Sequence, residues 1–161
     1  MDILIKAGNF IDGSGKKNRD NVDILVKGNR IVDIDLKGNL HVPKAKLIDA
    51  SKKTVLPGLI DAHVHPCFDS NPNIQTSTPD RLIEKQLITG ICNMADMLEG
   101  GITTIRSLGT AFDLDFSLRD AINKGLLAGP RIVAAGRGIS ITGGHGFYIS
   151  MEADGPDQIR K

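Results

Sequence analysis

The sequence predicts a protein of the α/β class, in which a small all-β unit over residues 1–56 precedes alternating strands and helices over residues 57–161. Two observations lead to this division. Up to residue 56 the chain consists of short strand-like runs broken by turn signals, as in an all-β unit. After the Pro57-Gly58 pair, strand-like and helix-like runs alternate, which is typical of parallel β/α units.

Alternating apolar residues mark two strand-like runs in the first unit. Residues 22–26 and 32–36 each place an apolar side chain at every second position, which is typical of a strand with one buried face. Gly28 and Asn29 stand between the runs, where a two-residue hairpin turn favours them. We therefore expect a small all-β unit that forms part of a β-sandwich.

The second unit begins with a strand-like run over residues 59–64. A helix is predicted over residues 79–99, because its apolar side chains share one face and Thr78 and Gly100 are suitable start and stop residues. Three later runs predict a strand over 102–106, a helix over 116–124 and a strand over 131–135. Residues 156–161, with Pro156 first, have the composition of an opening helical turn. These elements make at most three β/α units.

Composition excludes several classes of protein. Lysine and arginine total 20 residues against 19 aspartates and glutamates, so the chain lacks the basic excess of proteins that bind nucleic acid or anionic membranes. No run approaches the roughly 18 consecutive apolar residues of a membrane span. Cys67 and Cys92 are too few for a disulfide framework, which favours a reducing, cytoplasmic setting.

Two histidines lie close together in the segment 57–66, whose sequence is PGLIDAHVHP. Side chains two positions apart in a strand face the same way, so His63 and His65 present their imidazoles side by side. Two neutral imidazoles in this arrangement can bind one divalent ion at roughly 2.0–2.1 Å. Asp61 shares their face and is predicted to orient a ligand imidazole, or to lie in a polar interior layer.

The alternative to a metal site is an incidental pair, because a bare His-x-His motif recurs by chance. The context favours the metal site, since a small β unit and a Pro-Gly pair precede the motif and a helix and a strand follow it. Cys67 is near enough to be considered as a thiolate ligand, but an isolated cysteine is usually a small buried residue. His41 lies between β segments and is expected to be solvated.

In this context the strand GLIDAHVH over residues 58–65 resembles the first-strand signature of the amidohydrolase superfamily. A second block, GPRIVAAGRGISITGGHG over residues 129–146, resembles its imidazolonepropionase-related branch, which includes Xaa-Pro and Xaa-Arg dipeptidases. The resemblance implies a (β/α)8 TIM barrel preceded by a small composite β-sandwich. Because such a barrel takes eight strands and roughly 200 residues, we expect an N-terminal fragment with an incomplete barrel.

The resemblance also implies a mechanism and a ligand set. One or two divalent ions, most often zinc, activate a water molecule that attacks an amide, cyclic amide or dipeptide carbonyl. His63 and His65 are then the first metal ligands. The family takes the others from a fourth-strand lysine, from later histidines and from an aspartate general base, which we expect beyond Lys161. With two ligands, this chain alone is predicted to bind metal weakly or not at all and to show no turnover.

Two further residues are candidates for substrate binding. His145 lies in the glycine-rich run, and it is either a hydrogen-bond donor to substrate or a solvated loop residue. Arg106 follows the second strand, where the related branch has an arginine followed by an acidic residue. Ser107 departs from that pattern, so Arg106 either faces the site or pairs at the surface.

Three functions remain open at this point. The chain belongs to a metal-dependent hydrolase of carbon–nitrogen bonds with a small-molecule substrate, to a non-catalytic relative that binds or assembles with partners, or it is an inactive structural fragment. The paired imidazoles favour the hydrolase, because a scaffold has no need of them. The sequence leaves the substrate, the metal and a homo-oligomeric state open.

Overall fold

The computed structural model describes residues 1–69, 71–73 and 82–160 of the 161-residue chain. The chain divides into two compact units, Met1–Pro57 and Gly58–Lys161. In the described part of the chain, no helix is long and apolar enough to cross a membrane.

The first unit contains a four-stranded sheet with the order β3-β2-β1-β4. Its strands are β1 (Asp2–Phe10), β2 (Arg19–Lys27), β3 (Arg30–Asp35) and β4 (Lys46–Val55). β1 and β2 pair antiparallel, as do β2 and β3, whereas β1 and β4 pair parallel. The predicted hairpin is confirmed, because Gly28 and Asn29 connect β2 to β3 and Gly28 has a positive φ of 60°.

One face of this sheet carries a small core, which contains Ala7, Phe10, Val22 and Ile24. The predicted strand at residues 32–36 is observed as β3, which ends at Asp35, but its apolar side chains are not buried: Ile34 is 39% exposed and β3 has no buried residue. The physical reason is that β3 is an edge strand and no second layer covers it among the described residues. The sandwich therefore stays a prediction.

The second unit contains a three-stranded parallel sheet with the order β5-β6-β7. Its strands are β5 (Leu59–Val64), β6 (Ile102–Ser107) and β7 (Arg131–Val133). The helices are α1 (Ile83–Glu99), α2 (Leu114–Asn123) and the short α3 (Pro156–Ile159), and β8 (Gly138–Ser140) pairs parallel with β9 (Ser150–Glu152). Two 3-10 turns, Ala111–Asp113 and Phe147–Ile149, complete the unit.

Most predicted elements of this unit are observed, with shifted ends. The predicted helix start at Thr78 and Pro79 lies outside the described residues. α2 begins at Leu114, two positions before the predicted start, and follows Asp113 in the left-handed conformation. β7 ends at Val133 rather than at residue 135, because the N–H groups of Ala135 and Gly136 donate to the buried carboxylate of Asp115.

The core of the second unit lies between the sheet and the two longer helices. Its fully buried members include Met94 of α1, Ile105 of β6 and Leu118 of α2. Val64, the last residue of β5, packs into the same cluster. This burial fixes the carboxyl end of β5 and therefore the residues that flank Val64.

Candidate metal and substrate site

The two histidines of the first-strand motif lie together at the carboxyl end of β5. Val64 between them is 8% exposed and anchors the strand end in the core. The centroids of the His63 and His65 rings are 5.8 Å apart, and the ring planes meet at 71°. The backbone then turns at Pro66, where the Phe68 N–H donates to the His65 carbonyl at 3.0 Å. The predicted side-by-side placement of the imidazoles is therefore present.

The orientation of the His65 ring is fixed by a backbone carbonyl. Nδ1 of His65 lies 3.0 Å from the carbonyl oxygen of Gly109. Because a carbonyl oxygen can only accept, Nδ1 carries the hydrogen and Nε2 of the neutral ring keeps a free lone pair. Metal-binding histidines commonly make such a bond with the nitrogen that does not contact the metal. His65 therefore has the tautomer that a metal ligand needs.

Phe68 and Asn93 support the turn that carries His65. The Phe68 ring stacks on the His65 ring, with the centroids 4.8 Å apart and the planes 21° from parallel. Nδ2 of Asn93 donates to the carbonyls of Pro66 and Phe68, at 2.8 and 2.7 Å. One amide on α1 therefore satisfies two carbonyls of the turn and joins it to the helix.

A cleft of about 340 Å³ opens at the two histidines. Its lining includes His145 from the glycine-rich run, so the structure brings this residue to the same cavity as His63 and His65. The other lining residues are largely apolar or aromatic: Phe68, Leu108, Gly146, Tyr148, Ile149 and Ser150. The cleft therefore combines imidazoles with an apolar wall, as small-molecule sites commonly do.

Two acidic side chains hold the loop that carries His145. Glu152 is the last residue of β9, and Asp154 follows the strand. The backbone N–H and the hydroxyl of Thr142 donate to Asp154, at 3.0 and 2.6 Å. The Gly143 N–H donates to Oε1 of Glu152 at 2.6 Å. The hydroxyl of Thr142 and then its N–H hold the pKa of Asp154 below its usual value. The loop is thus attached to β9 although it consists mainly of glycine and polar residues.

Asp61 has a different hydrogen bond from the one we predicted. Its Oδ1 accepts from the backbone N–H of His63 at 3.0 Å, so the carboxylate stabilises the backbone of the motif. The acceptor for the His65 ring is Gly109 instead. A direct role of Asp61 in orienting an imidazole stays a prediction.

Arg106 lies outside the lining of the cleft. Its Nε donates to the carbonyl of Ala62 on the neighbouring strand at 2.8 Å, and its side chain is exposed. Ser107, which replaces the acidic residue of the related branch, is fully buried, and its hydroxyl accepts from the Gly109 N–H at 3.4 Å. Arg106 therefore binds the strand that carries the histidines, and substrate binding by Arg106 stays a prediction.

Cys67 has the environment of a buried apolar residue. It is 2% exposed and packs in the core with Met94 and Leu118. Burial, together with the nearby charge of Asp115, raises the pKa of the Cys67 thiol to about 12. A neutral thiol is a poor metal ligand, because the thiolate is the ligating form.

The described residues offer two candidate metal ligands, His63 and His65. Among residues 1–69, 71–73 and 82–160, no group of three or more His, Cys, Asp or Glu side chains is placed to hold a metal ion. Catalytic zinc sites use three protein ligands, of which His63 and His65 could be two. The pair fits a divalent metal, because the rings are adjacent and Nε2 of His65 is free to bind.

Sequence reasoning missed four residues that shape this site. Phe68 and Tyr148 belong to no motif in the sequence, and their convergence on the histidines depends on the fold. Asn93 carried a usable signal, because asparagine is unfavourable inside a helix unless its side chain has a partner. Asp115 gave no such signal, because its partners Ala135 and Gly136 lie far along the chain.

Comparison with proteins of known sequence gives matches of different extent. The profile of the Amidohydrolase family matches residues 54–161. A dihydroorotase of Lactococcus lactis subsp. lactis (strain IL1403) is 50% identical over 66 residues, which make up 40% of this chain and 15% of that enzyme. The match to this relative is therefore local.

Solved structures resemble almost the whole chain. A Xaa-Pro dipeptidase with methionine bound in its active site has a TM-score of 0.81 and 39% identity, over 90% of this chain and 36% of that one. A prolidase in complex with N-methylphosphonate-L-proline has a TM-score of 0.86 and 30% identity, over 99% of this chain and 42% of that one. The chain thus spans less than half the length of these relatives, and the predicted similarity to Xaa-Pro dipeptidases is confirmed. Since the family profile matches more than half of its residues, the chain belongs to the Amidohydrolase family.

Proposed function

We propose that this chain carries the first metal ligands of a metal-dependent hydrolase that cleaves carbon–nitrogen bonds. The observation that carries the proposal is the pair His63 and His65, with ring centroids 5.8 Å apart at the end of a parallel strand. The hydrogen bond from His65 Nδ1 to Gly109 adds to it, because it leaves Nε2 free for a cation. A binding or structural relative without catalysis would not need this arrangement.

Each residue of the cleft has a distinct proposed role. His63 and His65 hold a divalent cation, for which zinc is the first candidate and one or two ions are compatible with the family. When bound, such an ion supplies Lewis-acid polarisation of a carbonyl group and activation of water. His145 donates a hydrogen bond to the substrate from the opposite loop, and Asp61 fixes the backbone of the ligand pair.

The substrate that we propose is a small amide, with a dipeptide as first choice and a cyclic amide as second. The dipeptide is favoured because the solved dipeptidase and prolidase resemble at least 90% of this chain, whereas the dihydroorotase matches 40%. The apolar wall of Phe68, Leu108 and Tyr148 suits an uncharged side chain beside the scissile bond. A small, diffusible substrate also agrees with the expected cytoplasmic setting.

We further propose that the three-stranded sheet is the first part of a (β/α)8 barrel and that the first unit is half of a composite sandwich. Three parallel strands in sequence order, with helices between them, are the repeating pattern of such a barrel. Leu59 and Ile60 of the edge strand β5 are 51% and 72% exposed, as expected where a further strand or helix would pack.

Titration with a metal ion tests the ligand pair directly. Because two protein ligands bind zinc only weakly, the ¹⁵N-labelled chain is titrated with Zn2+ to a large excess, which should shift the imidazole nitrogen signals of His63 and His65 before those of other histidines. A double variant, His63→Ala with His65→Ala, lacks these signals, so its Zn2+ response is measured as bound Zn2+ in equilibrium dialysis, which should fall to the background level. His41→Ala is the matched control, because His41 is exposed in the first unit and should not contribute. An unchanged Zn2+ response in the double variant would contradict the proposed ligands.

A further inference from the structure

We propose that the buried Asp115 is a positioning residue for His65, acting through Thr110, Gly136 and the carbonyl of Gly109. The role of His65 as a metal ligand rests on the proposed function, whereas the path from Asp115 to the His65 ring is present in the structure by itself. Asp115 lies at the start of α2, is fully buried and does not line the cleft.

Asp115 accepts hydrogen bonds with both carboxylate oxygens. Oδ2 accepts from the N–H groups of Ala135 and Gly136, at 3.1 and 3.0 Å. Oδ1 accepts from the N–H of Phe116 at 3.0 Å and from the hydroxyl of Thr110 at 3.2 Å. Burying a carboxylate is costly unless donors surround it, and here four donors converge on it. The side chain therefore joins the segments that follow β6 and β7.

Thr110 and Gly136 are also bonded to each other, which closes the network. The Thr110 N–H donates to the Gly136 carbonyl at 3.1 Å. The Thr110 hydroxyl accepts from the Asp115 N–H at 3.1 Å while it donates to the carboxylate. Asp115, Thr110 and Gly136 thus form a closed set of bonds, which is more rigid than a single contact.

Gly109 lies directly between this network and the histidine. Its φ of 135° is a backbone conformation that favours glycine, and its carbonyl oxygen lies 3.0 Å from His65 Nδ1. On the other side, the Leu108 N–H donates to the Val64 carbonyl at 2.9 Å. The direction of the Gly109 carbonyl is therefore set by β5 on one side and by the Asp115 network on the other.

The direction of the Gly109 carbonyl determines which tautomer the His65 imidazole adopts. If the Gly109 carbonyl turns away, His65 loses the acceptor that keeps hydrogen on Nδ1, and Nε2 becomes protonated in part of the molecules. A protonated Nε2 cannot bind a cation. Asp115 would therefore influence metal binding without touching the metal, and its removal should be visible in the imidazole ring before any metal is added.

The test uses ¹⁵N chemical shifts of the His65 ring in the metal-free chain at alkaline pH, where imidazoles are neutral. These shifts distinguish the protonated nitrogen from the bare one. In the unmodified chain, His65 should be almost entirely in the Nδ1–H form. In Asp115→Asn, an NH2 group replaces one of the two carboxylate oxygens. This group cannot accept a hydrogen bond, so it faces either the Phe116 N–H or the N–H groups of Ala135 and Gly136 without bonding to them, and the network breaks. The ratio of the two tautomers should then change by about tenfold, as expected for the loss of one hydrogen bond.

Two further variants keep the test decisive if Asp115→Asn does not fold. Thr110→Val removes the hydroxyl at nearly constant volume and should shift the His65 tautomer, whereas Thr110→Ser retains the hydroxyl and should restore the original ratio. Asp120→Asn is the matched control on α2, because Asp120 is exposed and its carboxylate pairs with Arg119, outside the network of Asp115. A purely structural role would lower the stability of these variants and leave the tautomer unchanged.

The inference is overturned if His65 keeps its Nδ1–H form in a folded Asp115→Asn or Thr110→Val variant. Zn2+ titration of the same samples separates this inference from the proposed function. A shifted tautomer in a chain whose His63 and His65 do not respond to Zn2+ would support the positioning role and contradict the metal site. A Zn2+ response with an unchanged tautomer in the variants would support the metal site and contradict the positioning role.

Discussion

The imidazole of His65 is stacked on the ring of Phe68, with centroids 4.8 Å apart and planes 21° from parallel. The same imidazole donates from Nδ1 to Gly109, so one side chain covers its face and one carbonyl fixes its edge. This combination leaves little rotational freedom to the ring. The His65 ring is therefore held in one orientation by its own chain before any ligand is present.

Replacing Phe68 should loosen the His65 ring. Phe68→Leu removes the stacked ring but keeps an apolar side chain, and the loss of an aromatic pair costs about 1 kcal/mol of stability. The proton signals of the His65 ring should move downfield in the NMR spectrum, because the ring current of Phe68 is lost. Phe147→Leu is the control, because Phe147 is 48% exposed and its ring pairs with that of Tyr148. Equal His65 shifts in both variants would argue against the stacking.

Replacing Asn93 should destabilise the turn that carries His65 and Phe68. Asn93→Ala leaves the carbonyls of Pro66 and Phe68 without their amide partner, and a partly buried acceptor left unpaired costs about 1–3 kcal/mol. Urea unfolding should show this loss. The same substitution at Asn123, an exposed residue at the end of α2, should change stability by less than about 0.5 kcal/mol. Similar losses at both positions would mean that the Asn93 bonds contribute nothing specific.

The ligand pair could be predicted from the sequence because its geometry is local. A strand places residues two positions apart on one face, so the spacing of His63 and His65 determines that their rings are neighbours. The start of β5 and the end of α1 could be predicted for the same reason, because Pro57, Gly58 and Gly100 interrupt regular structure. These features depend on backbone geometry within a few residues.

The supporting network could not be predicted because its members are distant in sequence. Asp115 binds Ala135 and Gly136, about 20 residues away, and His65 binds Gly109, 44 residues away. β8 and β9 were missed for a related reason, because three-residue strands in a glycine-rich segment carry no periodic pattern. Such contacts are set by the packing of whole elements, which a pattern within one element does not report.

The loop that carries His145 should depend on pH through Asp154. The hydrogen bond from the Thr142 hydroxyl lowers the pKa of this carboxyl below 3.8, its value in the unfolded chain. The stabilisation of the loop is therefore complete above pH 3.8 and is lost as the pH falls through the lower folded-state pKa. The amide signal of Thr142 should report this transition, and Asp154→Asn should abolish it. Asp157→Asn is the control, because Asp157 is almost fully exposed and does not bind the loop. If the transition persisted in Asp154→Asn, a group other than Asp154 would be responsible for it.

The two cysteines should differ sharply in reactivity. Cys92 is exposed, whereas Cys67 is buried with a pKa of about 12, so at mildly alkaline pH its thiolate is about a thousandfold rarer than that of an ordinary cysteine with a pKa of 9.0. Iodoacetamide should modify Cys92 in the native chain and both thiols after unfolding. Cys92→Ser should therefore react slowly until denaturant is added. Rapid native labelling of that variant would show that the core around Cys67 opens.

Adding Zn2+ extends this measurement to the metal site. A zinc-bound thiolate is shielded from alkylation, and its formation releases a proton. Because Cys67 is held neutral in the core beside Met94 and Leu118, Zn2+ should not change its labelling rate in Cys92→Ser. Protection of Cys67 by Zn2+ would make it a ligand next to His65. That result would require the turn at Pro66 to rearrange, and it would replace the two-histidine pair with a different donor set.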